Sequence, residues 1–279
     1  MKKKLSSIAG VTLIEILIGI LISVVMMAAM FTSYQVVNST YSQVTDRAKI
    51  STAGRDVVGM MLRDIRNAGF KYFNDDIKTS DEHSPILITK STNFNTACDK
   101  LEIVYGDVTY DITKTPRYEY ERYKITYECK ASSIPDKSAV SVGGNTVPTI
   151  KAFALYKSKL KWNKTSNKWD NPATDGDSKT YGEEVVLDYV SDLVFNAIDE
   201  NGLLINPPPT PTNSTKDKLY AIKTIDIALT VRSSKPFFRN AKLRKILAMM
   251  DGSRTKSNND KYLRESIIVT ANARNLGLQ

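Results

Sequence analysis

Between Val11 and Phe31 the chain runs for twenty-one residues with one ionisable side chain, Glu15. An acid in that position invites chemistry. A carboxylate carried to mid-membrane costs roughly 2.5–3.5 kcal/mol on insertion scales, so it needs a role and a partner. The apolar run is long enough to cross a bilayer at about 1.5 Å per residue. Lys2, Lys3 and Lys4 precede it with no acid among them, which places the start of the chain on the cytoplasmic side.

A basic leader, Gly10, then Val11-Thr12-Leu13-Ile14-Glu15 and a long apolar helix resemble the class III signal of type IV pilins and pseudopilins. Order makes the motif specific: a secretory signal is cut after its apolar core, and here the site would precede it. The resemblance implies that a prepilin peptidase recognises Gly10, that Val11 becomes an N-methylated first residue, and that Glu15 is the assembly carboxylate. Val11 stands where the family usually has Phe, which predicts slower processing at most. Cleavage would create an α-amine at Val11. Residues i and i+4 share a helix face, so Glu15 can meet that amine or the amine of an adjacent subunit. Pairing offsets part of the desolvation either charge suffers alone. The family reading prefers the neighbour. The plainer alternative is a single-pass anchor with a tolerated acid near its end.

The formal charge is +9, and losing the three leader lysines would leave +6. Two cysteines and one histidine exclude a His-rich metal site, a CxxC pair and an obvious Cys-His dyad. No Gly-x-Ser-x-Gly, Walker loop or paired acids near His83 supports an enzyme. Cys98 and Cys129 fall in the exported region, where a disulfide is permitted, and both lie beside strand-like runs. The alternative is two buried free thiols.

Arg232, Lys235, Arg239, Lys242, Arg244 and Lys245 form an acid-free basic stretch interleaved with Phe237 and Phe238. Basic plus aromatic residues suit contact with a DNA backbone. A solvated face on a packing helix over Ala241 to Met250 weighs more. Asp175-Gly176-Asp177 with Glu183-Glu184 hints at calcium but fails EF-hand spacing, so a solvated turn is favoured. Trp162 and Trp169 read as a cross-strand packing pair rather than a ligand-stacking platform.

These residues must be positioned by a long helix and a β-rich head. No proline occurs before Pro85, and the stripe Val37, Tyr41, Val44, Ala48, Val58, Leu62 and Ile65 extends the helix to a stop at Gly69, about 85 Å in all. Arg63-Asp64-Ile65-Arg66-Asn67-Ala68-Gly69-Phe70 resembles the end of that helix in PilW-like minor pilins, which implies arginines holding loop carbonyls. Strands are expected from Pro85 to Ile88, Leu101 to Tyr105, Val108 to Ile112 and Tyr118 to Cys129, with a turn at Gly106-Asp107 and a bulge near Glu121-Arg122. Loops cover Ala131 to Pro148, around Gly143-Gly144-Asn145, and Asn206 to Asp217. A hairpin spans Phe153 to Trp169. Val185 to Ile198, Ile222 to Arg232 and Tyr262 to Asn275 add further strands. The acidic glycine turn at Asp199 to Gly202 and the final Arg274-Asn275 also resemble PilW-like chains.

The implied architecture is α+β, a pilin fold with a long N-terminal helix on an antiparallel head. Its parts are a leader, 1–10; a transmembrane and assembly helix, 11–35; an amphipathic continuation, 36–69; and a head, 70–279. The implied role is a non-catalytic minor pilin of a type IV pilus, without cofactors, inserted in the inner membrane with a periplasmic head before joining an extracellular pilus. Implied partners are other minor and major pilins, the prepilin peptidase, the assembly platform and the lipid bilayer. The alternatives are a J-type minor pseudopilin of a type II secretion system and a DNA-binding receptor pilin.

Overall fold

The computed structural model describes residues 12–70, 84–91, 98–136, 149–211, 216–247 and 255–276. Compactness divides the chain into two units, 1–48 and 49–279. Helix α1, Leu13–Asn67, contributes to both. The second unit carries β1 (Ile86–Thr89), β2 (Lys100–Tyr110), β3 (Tyr118–Ala131), β4 (Phe153–Asn163), β5 (Lys168–Trp169) and β6 (Tyr181–Ile198). It continues with α2 (Lys216–Tyr220), β7 (Thr224–Arg232), β8 (Lys242–Leu247), β9 (Thr255–Asp260) and β10 (Arg264–Asn272).

Seven strands form an antiparallel sheet in the order β1-β2-β3-β4-β6-β7-β10, with β5 paired onto β4 alone. The α+β class read from the sequence is therefore present: one helix lies on an antiparallel sheet. The stretch of α1 that does so presents Ile50, Gly54, Val57, Val58, Met61 and Ile65, a three-and-four spacing that lines one helix face. Opposite it, Leu101 and Ile103 on β2, Ile125 and Tyr127 on β3, Phe195 on β6 and Ile227 and Leu229 on β7 complete one core. Gly54 lets helix and sheet approach closely. A Cβ there would meet Ile267 Cδ1 at 2.5 Å.

This stripe differs from the expected one. Val37, Tyr41, Val44 and Ala48 are exposed, and the buried series starts at Ile50. Helical spacing identifies a face but not how far along the helix a partner covers it. The stop at Gly69 is as expected. Its φ is +70°, a conformation that glycine adopts without strain, and its N–H donates to the Val104 carbonyl at 2.9 Å. Arg63 and Arg66 are exposed, and residues 71–83, His83 among them, lie outside the described residues, as do the carbonyls these arginines were expected to hold.

Two local expectations in the head are corrected. Gly106-Asp107 makes no turn: β2 continues through it, with Gly106 opposite Arg122 and Asp107 opposite Glu121. The partner strand supplies the ladder that overrides the turn propensity of these two residues. No bulge interrupts β3 either. Tyr118 and Tyr120 stand on the face opposite Tyr123, Ile125 and Tyr127, and Tyr110 packs on Tyr118 at 5.3 Å. The bulges lie where β6 meets β4 and β7, beside Tyr189 with φ 61°. The Trp162–Trp169 pair is cross-strand, edge-to-face at 5.1 Å.

Candidate functional site

Thr12 opens α1 as its N-cap. The Thr12 hydroxyl oxygen accepts the Glu15 N–H at 3.4 Å, while the Glu15 carboxylate accepts the Thr12 N–H at 2.8 Å and its hydroxyl at 2.9 Å. This is a reciprocal capping box, and its signature, Thr-x-x-Glu before an apolar run, is legible in the sequence. Glu15 thus meets donors of its own helix terminus. Gly10 and Val11 lie outside the described residues, so the amine–carboxylate pairing remains an expectation.

Beyond the cap, apolar side chains cover the helix on every side. Leu13, Ile14, Ile16, Leu17, Ile18, Ile20, Leu21 and Ile22 are all more than half exposed, and the exposed series continues to Val44. Two hydroxyls along it bond back to the helix: Ser23 donates to the Gly19 carbonyl at 2.8 Å and Thr32 to that of Ala29 at 2.9 Å. α1 is long and apolar enough to cross a membrane. An all-round apolar helix needs lipid or neighbouring helices around it.

Among solved structures, the chain is similar to a type IV-like pilin from Thermus thermophilus. The two share 11% identity and superpose with a TM-score of 0.44, over 82% of this chain and 98% of that one. No protein-family model matches the chain. The curated proteins hold no match either.

In the head, the basic stretch is split by burial. Arg232 ends β7 at 3% exposure, with its guanidinium 4.0 Å from the Tyr262 ring centre and 6.0 Å from that of Tyr189. Burial works against its charge and pulls its pKa below the ordinary guanidinium value. A side chain so enclosed does not reach a phosphate backbone. Lys235, Arg239, Lys242 and Lys245 are exposed, while the Arg244 side chain lies outside the described positions. The helix expected over Ala241 to Met250 is instead strand β8, paired from Lys242–Asp260 to Leu247–Thr255 with β9. Good helix formers were outweighed by a hairpin partner eight residues on.

Asp64, named in the Arg63 to Phe70 motif but given no role there, is the acid that ties α1 to the sheet. Its carboxylate accepts the Tyr127 hydroxyl at 2.5 Å and lies 2.8 Å from Lys157 Nζ, with both charged side chains 11% exposed. Burial, then the Asp64 charge, pushes the Tyr127 phenol far above its ordinary pKa, so it stays a donor. A single Asp among charged helix residues carries no sequence mark of burial.

Cys98 and Cys129 form a disulfide, with Cα atoms 5.6 Å apart. Asp175 accepts from the Asp177 N–H at 2.9 Å and the Thr180 hydroxyl at 2.6 Å, and Asp177 accepts the Tyr123 hydroxyl at 2.7 Å. These carboxylates organise a turn, and among the described residues no acid, histidine and cysteine cluster suits a metal.

Proposed function

We propose that the chain is a minor pilin subunit of a type IV pilus, helping to initiate assembly or to form the tip complex. The peptidase cuts after Gly10 and methylates Val11. The apolar helix then holds the subunit in the inner membrane with its head in the periplasm, until Glu15 and the new amine of a neighbouring subunit pair within a bundle of such helices. The observation that carries this reading is the apolar surface from Leu13 to Phe31, exposed on all sides and opening on the Thr12–Glu15 cap. Lipid can cover that surface before assembly, and neighbouring helices after it. The work of the head is recognition and packing, and catalysis has no part in the reading.

Mass spectrometry of the membrane-extracted protein tests it. The expected N-terminus is residue 11 carrying one added methyl, and Gly10→Arg should block processing while leaving membrane insertion intact. An intact Met1 start in cells that contain the peptidase would refute the proposal.

A further inference from the structure

A cleft of about 460 Å³ opens at one end of the sheet, where the exit of β3, the segment entering β4, β6 and the start of β10 meet β9. Hydrogen bonds fix its walls. The Ser132 N–H donates to the Ala152 carbonyl and the Ile150 N–H to the Ile134 carbonyl, both at 2.9 Å, which ties the entering segment to the β3 exit. On the other side the Arg264 guanidinium donates to both Asp260 carboxylate oxygens, at 2.7 and 2.6 Å, and through Nε to the Ser191 hydroxyl at 3.1 Å. That fork joins β9, β10 and β6.

Ser191 owes its place to a bulge. Val190 pairs with Val231 and Asp192 with Thr230, so Ser191 is the extra residue of β6 and has no counterpart on β7. A bulge takes a side chain out of the strict alternation of a strand and re-aims it. Here it brings a hydroxyl to a lining that is otherwise largely apolar on this side, with Val190, Phe153 and Ile150 as its bulkiest members. Val190 and Phe153 are buried, so the apolar part of the lining belongs to the packed core and is rigid.

Two polar groups of the lining are uncompensated. The Asn258 amide nitrogen is buried, yet among the described residues it has no hydrogen-bond partner. Native structures leave few such donors unmet. Lys151 is exposed and forms no ion pair among the described residues. The Arg264 charge, by contrast, is matched by Asp260, and no acid is among the lining residues. The cleft thus carries one unmatched positive charge and one unmet donor beside an apolar wall. A single water does not account for it: a water takes about 30 Å³, and the apolar wall offers it few further partners. The volume is that of a small-molecule site.

We propose that this cleft binds a small amphipathic monocarboxylate, of the size of an N-acylated amino acid. The carboxylate accepts the Asn258 amide N–H and is drawn by the Lys151 ammonium, while the apolar body lies against Ile150, Phe153 and Val190. A carboxylate gains most from such donors, because charge-assisted hydrogen bonds are about twice as strong as neutral ones. A phosphate dianion would bring a second charge that the cleft does not match. A purely apolar molecule would leave the Asn258 donor unmet. The inference is independent of processing at Gly10.

Ligand-observed NMR tests the site, with N-acetyl-phenylalanine as the probe, the full-length chain in nanodiscs, and empty nanodiscs as the blank. Saturable broadening of the probe signals is expected. N-acetyl-phenylalanine amide, which lacks the charge, should bind about tenfold more weakly. Asn258→Asp keeps the shape of the side chain but sets one carboxylate against another, and should abolish saturable binding. Lys151→Gln, at an exposed position, should keep the head's melting temperature and weaken binding about fivefold at low salt. Leu203→Ser, on an exposed turn at the other end of β6, should bind as wild type. No saturable binding up to about 10 mM, a weak limit for a ligand of this size, would overturn the proposal. So would equal binding of acid and amide, or undiminished binding by both Asn258→Asp and Lys151→Gln.

Discussion

Two stretches of the same helix meet opposite fates. From Leu13 to Ala48 the side chains of α1 find no core within their own unit, whereas from Ile50 to Ile65 one face is fully enclosed by the sheet. Composition alone points the wrong way: the more apolar stretch is the exposed one. The charged stretch is buried on one face because its apolar residues repeat every three or four positions. Within the exposed stretch, the run from Leu13 to Phe31 has no polar face and so no side to turn towards water. The lesson is that exposure in a single chain marks a surface awaiting another environment, while the amphipathic half already has its own.

Both tryptophans, Trp162 and Trp169, lie in the head, so their fluorescence follows head unfolding alone and can sharpen the contrast. The largest expected effect is at Asp64. Asp64→Ala leaves Lys157 buried without its carboxylate and should lower head stability by roughly 3–5 kcal/mol, read from denaturant titration. Unchanged stability would mean that Lys157 finds water. Replacing Cys98 and Cys129 together by Ser should cost about 3–4 kcal/mol, given their sequence separation of 31. Alkylation of the unreduced wild type under denaturing conditions should label neither cysteine. Ile65→Val, at a fully buried position on the enclosed face, should cost roughly 0.5–1.5 kcal/mol. A null result there would erase the distinction between the two stretches.

The smallest expected effect on the head comes from Glu15. Glu15→Ala should insert at least as well as wild type, because removing a carboxylate from hydrocarbon relieves about 2.5–3.5 kcal/mol. The head should melt unchanged, while crosslinking to partner subunits falls. A shifted melting curve would break the comparison by coupling the exposed stretch to the folded one. Undiminished partner crosslinking would leave assembly to apolar packing alone.

What the sequence determined about this protein is what depends on neighbours a few residues apart. The apolar run, the Thr12–Glu15 cap, the stop at Gly69 and the alternation of the strands are set by local sterics, capping and side-chain period. Even the Trp162–Trp169 pair needed only a short hairpin. Tertiary structure decided everything that rests on a distant partner. β3 kept Gly106 and Asp107 in the ladder, and β9 drew a helix-forming segment into β8. The sheet chose Ile50 rather than Val37 as the start of the buried stripe. Tyr262 and Tyr189 enclosed Arg232, and Tyr127 with Lys157 turned Asp64 inward. An arginine or aspartate has the same identity in water and in a core. Only the three-dimensional neighbours that replace its hydration distinguish the two, and those come from sequence positions far away.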